Sequence, residues 1–126
     1  MTEATTIRYE TPLPGVVRVV LARPEVRNAQ SRRMTYELDA ALKRASGDDD
    51  VRVIVVAADG PHFSSGHDQR ERAPMSEFDT VSNWGGFDRP GAEGRQAMEE
   101  ELFLQMCWRW RNLPKPTIAE VQGKVI

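Results

Sequence analysis

The sequence holds a single cysteine, Cys107, within its 126 residues. One thiol cannot form an intrachain disulfide, which removes the disulfide-framework folds and permits a reducing compartment. Cys107 falls at helical spacing beside Phe103, where a buried core thiol is the expectation. Charge of one sign is equally scarce: 17 Lys and Arg stand against 19 Asp and Glu, for a formal net charge of −2. The longest like-charged runs are Asp48–Asp50 and Glu99–Glu101, so no basic stripe argues for nucleic acid or an anionic membrane. No apolar run approaches the ~18 residues at which a membrane-spanning helix becomes a candidate. The opening MTEATTIRYE is polar and acidic and lacks the apolar stretch of a secretory signal. The reading is a soluble, cytoplasmic protein forming one domain, residues 1–126, around one modest core.

What is present is organised in short apolar segments. Residues 16–22, VVRVVLA, are rich in β-branched side chains and follow Pro12, Pro14 and Gly15, the pattern of a strand entered from a turn. Residues 7–10 are its hairpin partner. Met34, Leu38, Ala41, Leu42 and Ala45 then trace one face of an amphipathic helix, with Asn28 or Ser31 as N-cap and Gly47 as its stop. Residues 51–58, VRVIVVAA, are too continuously apolar for a half-exposed strand and predict one buried on both faces, as in a parallel sheet. Strand, helix and buried strand make a β-α-β crossover, which points to an α/β fold.

Residues 59–95 are rich in Gly and Pro with little apolar periodicity, a loop longer than a compact domain tolerates without function or disorder. Within it, residues 74–94 contain Trp84, Gly85, Gly86 and Phe87 and read as a mobile loop, either a lid over a ligand or a disordered segment. Met98, Leu102, Met106 and Trp110 repeat every fourth position, with Glu99–Glu101 near the start and Arg109 and Arg111 near the end. Stripe and charges agree on a helix, stopped by Pro114 and Pro116. TIAEVQGKVI, residues 117–126, predicts a further strand.

The densest chemistry lies in FSSGHD, residues 63–68. A phosphate-cradling P-loop fails on spacing, because Gly60 and Gly66 stand too far apart and His67 replaces the lysine. His62, His67 and Asp68 match no common zinc-ligand pattern, and no metal is expected. His62–Gly66 reads H-x-S-x-G, near the nucleophile elbow of serine hydrolases, but a turn separates the strand from Ser64 and no acid-then-His pair follows. What remains is the backbone: a small, glycine-containing turn beyond the carboxyl end of a buried parallel strand exposes N–H groups that can bind a developing oxyanion.

Three ordered blocks resemble the enoyl-CoA hydratase/isomerase family, the crotonase fold: VVRVVLARPEVRNAQS, VRVIVVAADGPHFSSGHD and LPKPTIAEVQGKVI. The resemblance implies a crotonase-like α/β fold, a spiral of β-β-α units of which residues 1–126 form the N-terminal portion. It implies an acyl-CoA thioester as substrate, with two backbone N–H groups polarising the carbonyl so that an enolate-like species forms. On the family's F-x-x-G-x-D pattern the first donor is the backbone N–H of His67, while Gly66 lets the thioester approach. Arg27, Asn28 and Ala29 would line the nucleotide on one side and Ser64, Ser65 and Asp68 on the other, with Arg27 able to pair with the 3′-phosphate. Coenzyme A is part of the substrate, and no further cofactor is implied.

His67 and Gln69 make the turn more polar than the family's usual pattern. The resemblance places the second oxyanion donor and the acid/base glutamates beyond Ile126, so residues 1–126 alone are not expected to turn over substrate. Family members commonly form trimers or hexamers, which implies a homo-oligomer here, or a complementary C-terminal polypeptide. The reading from a different class is a non-catalytic module that binds acyl-CoA or caps a partner.

Overall fold

The computed structural model describes residues 3–82 and 85–126. Trp84, an aromatic anchor expected in the 74–94 loop, lies outside those residues. Strands β1 (Ile7–Leu13) and β2 (Val16–Leu21) form an antiparallel hairpin pairing Ile7 with Leu21 and Leu13 with Val16. Gly15 closes it at φ +79°, a conformation that costs glycine little. Its carbonyl accepts from the N–H groups of Arg52 (2.7 Å) and Val53 (3.1 Å), tying the turn to the start of β3 (Val53–Ala58).

Between β2 and β3 the chain crosses over through α1 (Arg32–Gly47), so β2 and β3 run parallel, with Val16 beside Val53 and Leu21 beside Ala58. The Ser31 hydroxyl caps α1 by accepting from the Met34 N–H. Its buried face carries Met34, Leu38, Ala41, Leu42 and Ala45, the stripe anticipated from spacing. These side chains pack with Ile7, Val17, Val19, Leu21 and Ile54 in a single core cluster between helix and sheet. Strand β4 (Thr117–Ala119) joins β3 in parallel, completing the order β1-β2-β3-β4.

β3 is not buried on both faces. Ile54 and Ala58 are buried in the core cluster with α1, Val56 is half-buried against it, and on the opposite face Ala57 is buried while Val53 and Val55 are half-buried. The segment expected as loop up to residue 95 contains a 3-10 turn at Met75–Glu77 with Met75 buried, and its last residues are already helical.

The expected helix around Met98–Trp110 starts earlier and is not uniform. It opens as α2 (Ala92–Glu99), widens into a π-helical stretch at Glu100–Gln105, and continues as α3 (Met106–Arg111). Leu102 and Met106 point inward, as the stripe predicts. Cys107 does not: it is exposed, and Phe103 is 43% exposed. Cys107 follows the buried Met106, and one residue turns a helix by about 100°, carrying the thiol off the inner face.

Candidate active site

The FSSGHD turn sits where the chain leaves the carboxyl end of β3, beside the Arg23–Gln30 connection that leaves β2. The two connections are bound to each other. Ser65 N–H donates to the Arg27 carbonyl (2.9 Å), Gln30 N–H to the Gly66 carbonyl (2.8 Å), and Asp68 N–H to the Gln30 carbonyl (3.0 Å). On the other side, Ser64 N–H donates to the Lys124 carbonyl and Ile126 N–H to the Ser64 carbonyl, so residues 124–126 run alongside. Gly66, at φ +87°, has Ile126 Cγ2 3.2 Å from where a Cβ would stand, so both backbone angle and space favour glycine.

This ladder decides where the His67 N–H points. In a planar trans peptide the N–H of one residue opposes the C=O of the residue before it. The Gly66 carbonyl faces Gln30, so the His67 N–H faces away, and no acceptor among the described residues takes it. The imidazole is exposed and lies edge-on to the Phe103 ring, with ring centroids 5.1 Å apart.

His67 lines two clefts. The first, of about 550 Å³, is walled by Arg23, Arg27, Ala29, Asp68 and Arg70. The second, of about 350 Å³, runs from His67 to Phe87, Met98, Leu102 and Phe103. Both volumes fall in the range of small-molecule sites.

Arg27 and Ala29 stand on the wall of the first cleft, and Arg27 is exposed there. Asn28 does not. It is fully buried, and its side chain ties the two connections together through three bonds: Oδ1 accepts from the Arg23 N–H (2.8 Å), and Nδ2 donates to the carbonyls of Asp59 (2.8 Å) and His62 (3.0 Å). Arg27 and Asn28 both adopt φ +53°, a left-handed conformation that costs a non-glycine residue about 1 kcal/mol. Those hydrogen bonds hold Asn28 in it, an architectural role that neither the cap nor the nucleotide reading anticipated.

Ser64 is likewise enclosed. Its hydroxyl donates to the Asn28 carbonyl (2.9 Å) and accepts from Gly66 N–H (3.1 Å) and Gln30 Nε2 (3.3 Å), with no imidazole among its partners. Both of its backbone groups are taken by residues 124–126, so neither faces a ligand. Ser65 is half-buried, its hydroxyl donating to the Val26 carbonyl. Asp68 lies on the first cleft, but its carboxylate faces inward to Arg23 Nη1 (3.0 Å) and the N–H groups of Arg70 and Glu71. The Arg70 N–H, with Arg23 adding to it, holds the Asp68 carboxyl below its ordinary range against the opposing effect of burial.

Glu101, which the sequence reading placed near the start of a helix, is completely buried in the π-helical stretch. It accepts from Tyr36 Oη (2.6 Å), Val81 N–H (2.6 Å) and Ser82 N–H (2.8 Å). Burial opposes its ionisation, yet these donors outweigh it and keep the carboxyl below its usual range. Burial and the Glu101 carboxylate together push the Tyr36 phenol up. Asp39 was also missed: it sits on the inner side of α1 and accepts from Trp110 Nε1 at 3.0 Å, tying α1 to α3. Neither residue carried a signal in its local pattern.

The family profile described as enoyl-CoA hydratase/isomerase matches residues 13–126. The chain belongs to the enoyl-CoA hydratase/isomerase family. A Mycobacterium tuberculosis protein, EchA13, whose name describes an enoyl-CoA hydratase, is 42% identical across 95% of this chain and 40% of its own length. The human mitochondrial enoyl-CoA hydratase domain-containing protein 3 is 41% identical across 88% of this chain and 32% of its own. The crystal structure of an enoyl-CoA hydratase/isomerase from Xanthobacter autotrophicus Py2 superposes with a TM-score of 0.74 at 35% identity, covering 96% of this chain and 40% of that one. The fold is therefore the N-terminal portion of a crotonase-like α/β fold, and the chain spans about 40% or less of the length of these relatives. Among the described residues no helix is long and apolar enough to cross a membrane.

Proposed function

We propose that residues 1–126 form the acyl-CoA-binding part of an enoyl-CoA hydratase/isomerase-type site, in which the His67 N–H is one of two oxyanion donors. The observation that carries this is the free His67 N–H, turned away from Gln30 on a residue that lines both clefts. A thioester carbonyl at that N–H would leave the nucleotide in the cleft of Arg27 and Ala29 and the acyl chain in the cleft of Met98 and Leu102. Arg27, exposed on the first wall, supplies positive charge for a phosphate. Gly66, at φ +87°, supplies the backbone conformation that precedes this N–H. The donor lowers the barrier by stabilising charge that develops on the oxygen during enolate formation, an effect of about 3 kcal/mol per donor in comparable sites.

The second donor and the acid/base groups belong, in this reading, to sequence beyond Ile126, and turnover is a property of the complete protein. Coenzyme A enters as part of the substrate, and the reading calls for no separate cofactor or metal. Homo-oligomerisation and a cytoplasmic location belong to the same proposal. The non-catalytic alternative draws on one observation: Trp108, Ile118, Val125 and Ile126 are all more than half exposed, an apolar surface suited to a covering polypeptide.

Calorimetric titration with a saturated short-chain acyl-CoA tests the reading. Micromolar to millimolar binding by the wild type, little changed in His67→Ala and weakened several-fold in His67→Pro, supports it. Equal binding by both variants counts against the N–H, and absence of binding by the wild type sinks the reading.

A further inference from the structure

The second cleft is more positive than a hydrocarbon acyl chain requires. Its apolar floor is Phe87, Met98, Leu102 and Phe103, but four guanidinium-bearing residues, Arg32, Arg72, Arg89 and Arg95, also line it against two carboxylates, Glu71 and Glu99. Glu71 is engaged internally: its carboxylate accepts from the backbone N–H groups of Arg32 (3.1 Å) and Ala73 (3.0 Å). Arg32 and Arg72 donate to backbone carbonyls, Ala73 and Glu71 respectively, and hold the wall in shape. Arg89 and Arg95 remain. Among the described residues Arg95 has no side-chain partner, and Arg89 reaches only Glu93 at 3.8 Å, a pair in which both side chains are more than two-thirds exposed. So loose a pair contributes little and is easily exchanged for a ligand.

Arg89 is also placed by the fold. Its N–H closes a turn onto the Gly86 carbonyl (3.2 Å). At Gly86, φ +79°, a Cβ would come within 3.1 Å of Arg89 Nε, and at Gly94 it would stand 1.9 Å from the Arg89 carbonyl oxygen. The two glycines thus let the Arg89 backbone sit against α2 and its guanidinium fold back over the turn. An apolar floor with a guanidinium rim matches a ligand that is hydrocarbon near the reacting carbonyl and anionic at its far end.

We propose that this cleft takes an acyl group ending in a carboxylate, which Arg89 and Arg95 hold, so that the substrate class is a short carboxyacyl-CoA. The inference rests on the acyl-CoA reading above and adds the identity of the acyl terminus. A volume of about 350 Å³ suits a short chain, and guanidinium matches a carboxylate in both charge and geometry.

Calorimetry with glutaryl-CoA and pentanoyl-CoA tests it, because the two share acyl-chain length and differ only in whether the far carbon is a carboxylate or a methyl. The expected result is glutaryl-CoA binding roughly tenfold tighter, with the preference erased in Arg89→Gln/Arg95→Gln while pentanoyl-CoA affinity stays within about twofold, which also shows that the variant is folded. Equal affinity of the wild type for the two ligands overturns the inference and leaves the acyl-CoA reading standing. A double substitution that weakens both ligands alike overturns it too, placing the guanidiniums on the coenzyme A phosphates. Failure to bind either thioester removes both readings together.

Discussion

Gln30 N–H donates to the Gly66 carbonyl at 2.8 Å, and that one contact turns the next amide, His67, outward. The chemistry expected of FSSGHD therefore rests on backbone direction, and the serine is part of the frame that sets it. Ser64→Ala should leave acyl-CoA affinity within about twofold while removing a buried acceptor from Gly66 N–H, at a stability cost of about 1–3 kcal/mol. Urea denaturation beside a binding titration reads both, and loss of binding in a stable variant would restore a direct role for the hydroxyl.

Asn28 offers a second separation of causes. Asn28→Ala loses every side-chain bond to Arg23, Asp59 and His62 and keeps a non-glycine residue at φ +53°, so a loss of about 3 kcal/mol is expected. Asn28→Gly loses the same bonds but relieves the left-handed conformation, and should be about 1 kcal/mol more stable than the alanine variant. Identical denaturation midpoints would show that φ at this position carries no strain.

Acid sensitivity follows from Glu101 and Asp68. Both carboxyls are lowered in the folded chain, so the unfolded chain binds protons first. Their contribution is fully present above the unfolded pKa of about 4 and is lost as pH falls through the lower folded values. Melting temperature should drop steeply below about pH 4. Glu101→Gln should flatten that drop and lower stability near neutrality by about 2–4 kcal/mol, because the amide cannot satisfy Tyr36, Val81 and Ser82 as the carboxylate does. A wild-type slope in the variant would rule out Glu101 as a source.

Cys107 should react to completion with an aromatic disulfide reagent without denaturant, since it is exposed. A thiol that reacts only in denaturant would return it to the core.

Local pattern carried much of this fold. The buried face of α1, the hairpin and the parallel crossover were legible, and the cap was narrowed to Asn28 or Ser31, because each depends on residues near one another in sequence. The position of the FSSGHD turn was legible for the same reason. Glu101 was not, because its donors Tyr36, Val81 and Ser82 lie in other segments and a π-helical stretch changes which residue faces inward. Asn28 looked like a cap or a ligand contact because nothing local shows two consecutive left-handed residues needing a tie to Asp59 and His62. Arg89 and Arg95 carried no signal in the sequence, because the cleft they line and the seating of the turn before α2 on Gly86 and Gly94 exist only in the fold.

The most direct test of the account is the amide resonance of His67 in a ¹⁵N-labelled chain titrated with a saturated acyl-CoA. A new hydrogen bond to the thioester carbonyl predicts a downfield proton shift at His67 that saturates with ligand and is larger than those at Ser64 and Ser65. Saturable binding with the His67 amide unmoved would contradict the assignment of this N–H as the oxyanion donor.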